Sequence, residues 1–206
     1  MKNLQDIIQE KLQIGGKTKV RVYNYYPKDN DELRKILKQL LKERGKDADL
    51  NDIDTSKITD MDLLFNNLNP HNIDISKWNV SNVKNMKYMF YNCFDFNSDL
   101  SKWNVSKVTD MKSIFKCCYN FNSDLSNWDV SNVTDMYCMF YGCEKFNSDL
   151  SNWDVSNVKN MEYMFRGSII FNNDLSKWKV SKLCNINHMF MDSPLEGNEL
   201  NWYKNF

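Results

Sequence analysis

Two histidines, six cysteines and a set of periodic carboxylates are the groups with which this chain of 206 residues could do chemistry. His71 and His188 lie far apart along the chain, so they are not expected to share a catalytic or metal site. Cys93, Cys118 and Cys143 recur at one phase, and Ser168 and Ser193 hold that phase further on. Cysteine interchanging with serine fits a small buried position better than a crosslink. The column offers no fourth cysteine and no neighbouring histidine, so it does not complete a zinc set. Cys117, Cys138 and Cys184 fall off that phase, and all six are expected to be free thiols.

The carboxylates are periodic too. Asp74, Asp99, Asp124, Asp149 and Asp174 each stand two residues before a serine. That spacing suits an Asx turn, in which the carboxylate accepts a backbone N–H, better than an acid–base pair. Asn72, Asn97, Asn122, Asn147 and Asn172 share another phase, where stacked amides could bond the backbone of adjacent units. Neither a phosphate-binding G-x-x-x-x-G-K-[ST] loop nor a G-x-G-x-x-G fingerprint occurs. No enzyme activity, cofactor or metal is expected.

The framework that positions these groups is a repeat. Trp78, Trp103, Trp128, Trp153 and Trp178 fall 25 residues apart without insertion. A period in this range marks stacked units, each unable to bury its apolar face alone. A degenerate copy begins at Ile53, and the unit from Trp178 is eroded, as terminal repeats are. In the unit from Trp128, Val130, Val133, Met136, Met139, Phe140, Phe146 and Leu150 are apolar and should stack on their counterparts. Met136, Met139 and Phe140 at i, i+3, i+4 suggest a helical turn, and Phe146 to Trp153 a strand pairing with its copies. Before the array, Leu4, Ile7, Ile8 and Leu12 suggest a helix up to Gln13, and Lys19 to Tyr26 a strand. Leu33, Ile36, Leu37, Leu40 and Leu41 form the stripe of a helix over 29–46, placed to cover the first unit. Trp202, Tyr203 and Phe206 could cover the other end.

The residues W-[ND]-V-S-x-V-x-[DN]-M-x-x-[MI]-F-x-x-C-x-x-F-N-x-D-L-S resemble the BspA-like leucine-rich repeat, in the form found in mycoplasmas and some spirochaetes, over about residues 53–200. The resemblance implies a right-handed solenoid with one short strand and one short helical turn per coil, and a role in adhesion or protein–protein contact. The expected fold is thus an α/β solenoid, leucine-rich-repeat-like, of about six coils. An N-terminal strand and capping helix (1–52) precede the repeat array with its eroded last unit (53–206).

Function should lie where the repeat varies. Tyr91, Lys116, Tyr141 and Arg166 share one phase; Phe94, Tyr119, Glu144 and Ile169 another; Lys87, Lys112, Tyr137 and Glu162 a third. Aromatic and Arg side chains are enriched at interfaces. These residues are expected to bind another protein, and the chain to be a monomeric, non-enzymatic scaffold. The alternatives are a surface adhesin and a carbohydrate-binding module using the tryptophan column. Lys+Arg and Asp+Glu both total 27, which nominates neither nucleic acid nor an anionic membrane as partner. No stretch approaches the length of a membrane span. The start MKNLQDIIQEKLQIGG has neither a signal nor the lipoprotein cysteine of exported family members. The expectation is therefore a cytoplasmic protein, or a cell-surface one if a leader has been removed.

Overall fold

A computed structural model describes residues 22–197, 200, 202 and 203. The helix expected up to Gln13, the start of the strand expected from Lys19, and Phe206 lie outside the described residues. The leucine-striped segment forms helix α1, Asn30–Arg44. Asp29 caps it by accepting the Glu32 N–H, and Glu32 reaches back to the Lys28 N–H. Gly45, at φ 86°, ends it by donating its N–H to the Leu41 carbonyl. Leu33, Leu37 and Leu40 are fully buried against the repeat array.

Equivalent side chains of successive repeats touch. Phe65, Phe90, Phe115, Phe140, Phe165 and Phe190 form a column with ring centroids 5.1–5.8 Å apart. A second column, Phe96, Phe121, Phe146 and Phe171, lies about 4.0 Å from the first in each repeat. The five tryptophans at the repeat phase are 3–4% exposed. Each indole N–H donates to a carbonyl of the preceding repeat, as Trp128 does to Leu100 at 3.0 Å. Trp202 continues the pattern, stacking on Trp178 and donating to Leu175. The in-phase thiols do the same: Cys118 and Cys143 donate to the Phe90 and Phe115 carbonyls, and Ser168 to that of Phe140. That shared bond is why cysteine and serine interchange there.

The expected secondary structure of the coil is overturned. Among the described residues α1 is the one helix, and there is no sheet; isolated parallel bridges link Asp49 to Asp74 and run once per repeat through the series Asp60, Asn85, Asp110, Asp135, Asn160, Asn185. The chain is therefore not the α/β solenoid of strand and helical turn foreseen. Tyr25 likewise makes a lone bridge to Ile53 rather than a strand. The physical reason is visible in the hydrogen bonds. From Met136 to Gly142, alternate N–H groups (136, 138, 140, 142) donate to carbonyls of the next repeat. The N–H groups of 139, 141 and 143 close four-residue turns on the Met136, Cys138 and Phe140 carbonyls. Cys138 and Gly142 sit at φ 52° and 69°, in the third position of such turns. An α-helix cannot pass through left-handed residues, so the i, i+3, i+4 spacing here belongs to linked tight turns.

Over Phe146 to Trp153, side chains replace the backbone ladder that a strand would need. The Asn147 N–H donates to the Asn122 side chain, and the Leu125 N–H to the Ser148 hydroxyl. The amide column recurs as Asn122 on Asn97 and Asn172 on Asn147. The Asx turns close as foreseen, with Ser76, Ser101, Ser126, Ser151 and Ser176 N–H groups on their aspartates at 2.9–3.0 Å.

The first repeat has no predecessor to satisfy its carbonyls, and α1 supplies the donors instead. In the interior, Lys112, Ile114 and Lys116 carbonyls accept from the repeat before. At the equivalent Asp62, Leu64 and Asn66 carbonyls the donors are Asn30 for the first and the Arg34 guanidinium for the other two. Arg34 also reaches the Leu63 carbonyl.

Candidate functional site

The linked turns build one outer face of the stack. Within each interior turn segment the Met, Phe and in-phase Cys or Ser are buried, leaving three neighbouring positions outward or half-buried, and a fourth that is half-buried at Tyr88 and Tyr163 but buried at Ser113 and Cys138. In the second repeat these are Lys87, Tyr88, Tyr91 and Phe94. Their counterparts lie directly against them because the backbone ladder holds successive turns in register.

The column of Tyr91, Lys116, Tyr141 and Arg166 alternates rings and cations. Lys116 Nζ lies 5.9 Å from the Tyr91 centroid and 4.8 Å from that of Tyr141. The Arg166 guanidinium lies 5.5 Å from Tyr141 and 5.6 Å from Tyr163. Lys112 repeats the arrangement, 5.9 Å from Tyr88 and 5.0 Å from Tyr137. Each such contact contributes roughly 0.5–1 kcal/mol at an exposed site. Phe94 and Tyr119, about two-fifths exposed, stack at 5.3 Å. Ile169 and Ile170 extend this apolar edge, and Glu144 interrupts it with an exposed carboxylate.

Charge on the face is unevenly answered. Lys87 pairs with Asp62 at 3.5 Å, and Arg166 with Asp192 at 3.3 Å. Burial raises the Asp62 carboxyl above its ordinary range despite Lys87. Glu162 accepts from the Asn185 side chain. Burial also raises Asp135, Tyr119 and Cys117. The Tyr137 phenol, hydrogen-bonded to Cys138, is pushed up to about 12. The Tyr119 and Tyr137 phenols therefore stay protonated near neutral pH.

The residues that reading by phase overlooked are Tyr88 and Tyr163, with His188 stacked 5.2 Å from Tyr163. They belong to a fourth variable column, Leu63, Tyr88, Ser113, Cys138, Tyr163 and His188, every member of which has positive φ. Its changing residue types were the available signal. His71 lies elsewhere, 3.9 Å from Asp47 and 3.8 Å from Asp95. Among the described residues no group of three or more His, Cys, Asp or Glu side chains could hold a metal ion. The tryptophans expected to serve a carbohydrate reading are buried, with their N–H groups committed to backbone.

One family pattern, described as Mycoplasma protein of unknown function, DUF285, matches residues 34–144 and again 118–204. The chain belongs to this family. No curated protein and no solved structure matches it. The DUF285 matches start inside α1 and run through every repeat that contributes to the turn face. Among the described residues of this DUF285 chain no helix is long and apolar enough to cross a membrane.

Proposed function

We propose that this DUF285 chain is a non-enzymatic scaffold that binds another protein through its turn face, and that its repeats are of the BspA-like kind. The observation that carries the reading is the half-buried Tyr–Lys–Tyr–Arg column, held in place by cation–ring contacts between repeats. Ordered aromatic and Arg side chains lose little freedom on docking, which favours them at interfaces. On the other faces Asp124 and Asp149 close Asx turns, and the Asn122 side chain accepts from the next repeat.

The test is site-specific photo-crosslinking in a lysate of the source cells. A photoreactive residue at position 141 should yield defined protein adducts, and one at exposed Asp129, in an Asx turn away from this face, should not. Identical adduct patterns from both positions would defeat the proposal.

A further inference from the structure

We propose that the turn face receives an acidic peptide, whose carboxylates lie on Lys112 and Lys116 and whose aromatic or apolar side chain packs beside Phe94 and Tyr119. This rests on the reading of the face as a protein-docking surface and names the chemistry of the partner. Lys87 and Arg166 are each answered by an aspartate of the chain itself. Among the described residues Lys112 and Lys116, between them, have no carboxylate at ion-pair distance; their ammonium groups lie against tyrosine rings instead. A ring attracts a cation but does not neutralise it. Both ammoniums come from one repeat at the middle of the face, where Lys112 acts on the Asp135 carboxylate without forming an ion pair, whereas Lys87 and Arg166 toward the ends are paired directly.

The same geometry disfavours other anionic partners. Sugars stack on open ring faces, but here the Tyr91 and Tyr141 rings face cations, and Phe94 and Tyr119 face each other with planes only 10° apart. An anionic membrane would meet Glu144, Glu162 and Asp192 on the same side, on a chain whose formal net charge is zero. A peptide can place its acidic groups over Lys112 and Lys116 alone and keep neutral residues against the acidic positions.

Fluorescence anisotropy on the full chain tests this with labelled peptides alternating tyrosine with glutamate, glutamine or lysine. Saturable binding of the Glu–Tyr peptide alone is expected. It should weaken roughly tenfold in the Lys112→Gln/Lys116→Gln variant. Raising salt to about 0.5 M should weaken it as well, since exposed charges are then screened. Phe94→Ser/Tyr119→Ser should lower affinity without altering the salt dependence. Equal binding of the three peptides, which needs no variant to interpret, would overturn the proposal, as would binding indifferent to the lysine substitutions. Binding of a sulfated polysaccharide or of phosphatidylserine vesicles, with no peptide bound, would also overturn it. Absence of peptide binding while position 141 still crosslinks specifically rejects only the acidic partner. Loss of that specificity rejects the docking face itself.

Discussion

Phe90, Phe115, Phe140 and Phe165 place the same ring at the same point of successive repeats, while Tyr91, Lys116, Tyr141 and Arg166, one residue further along, never repeat a side chain in adjacent repeats. The two columns share a backbone and a spacing, so the difference lies in what the side chains meet. A buried phenylalanine meets its own copy, and identical rings stack without loss. A surface lysine meeting its own copy would place like charges a few ångströms apart. Alternating cation with ring turns that repulsion into attraction. Repetition in the core and alternation in this column are thus both consequences of touching the equivalent residue next door; where the neighbouring column does repeat a lysine, Lys87 turns to Asp62 and Lys112 to tyrosine rings.

The largest effect should come from breaking a core column. Trp128→Ala removes a buried ring and leaves the Leu100 carbonyl without its indole donor. A loss of about 3–5 kcal/mol is expected by thermal or denaturant unfolding. Tyr141→Ala should cost about 1 kcal/mol, since it loses cation–ring contacts at a half-buried position. Comparable losses from the two would abolish the distinction between core and face. Next in size is the end of the stack. Arg34→Ala leaves the Leu64 and Asn66 carbonyls without donors, for an expected loss of about 2–3 kcal/mol. Amide exchange should quicken first in the repeat that contains Phe65. Uniform acceleration along the array would show that α1 does not act as a local cap.

The core columns could be read from the sequence because identical residues at one phase announce that they stack. The Asx turns and the amide column were legible for the same reason, each needing only a side chain and a nearby backbone group. The coil's backbone was not. Met136, Met139 and Phe140 present the same spacing to a helix and to linked turns. The deciding feature is the left-handed column through Tyr88, Ser113, Cys138 and Tyr163, which contains no glycine to reveal it. Hidden with it were the two tyrosines that complete the cages of Lys112 and Arg166. The strand expected near Phe146 failed because Asn and Ser side chains took over the bonding there, and side-chain capacity to imitate a ladder is not visible in β-propensity.

The thiol column gives the core an alkaline pH dependence of its own, beside that of the raised Tyr137 phenol on the face. Burial pushes Cys93 from 9.0 up to about 12 and holds Cys118 and Cys143 well above the ordinary range. Unfolding releases these thiols to ionise at their normal pKa. Their contribution is therefore complete below pH 9 and is lost as pH rises from there toward 12. Each thiol should remove about 1.4 kcal/mol per pH unit inside that window. Cys118→Ser, which can keep the bond to the Phe90 carbonyl as Ser168 does to Phe140, should flatten the alkaline fall by one thiol's share. An unchanged slope would mean that the column is not sealed from water.

The smallest expected effect isolates the backbone from the side chains. Asn67, Asn92, Cys117, Gly142, Gly167 and Asp192 occupy one left-handed column, and glycine has been accepted at two of its positions. Cys117 holds φ 61° where Gly142 and Gly167 hold 69°. A non-glycine residue in this region costs about 1–2 kcal/mol, and glycine avoids that at an entropic cost of about 0.5–1 kcal/mol in the unfolded chain. Cys117→Gly should therefore stabilise the fold by a few tenths to about 1 kcal/mol. Gly142→Ala should destabilise it by a similar amount, because the new Cβ meets Tyr119 at an ordinary 3.6 Å and only the backbone is strained. Unfolding midpoints of the two variants should move in opposite directions. If both fall, the Cys117 side chain contributes packing that outweighs its strain, and the face begins to behave like the core.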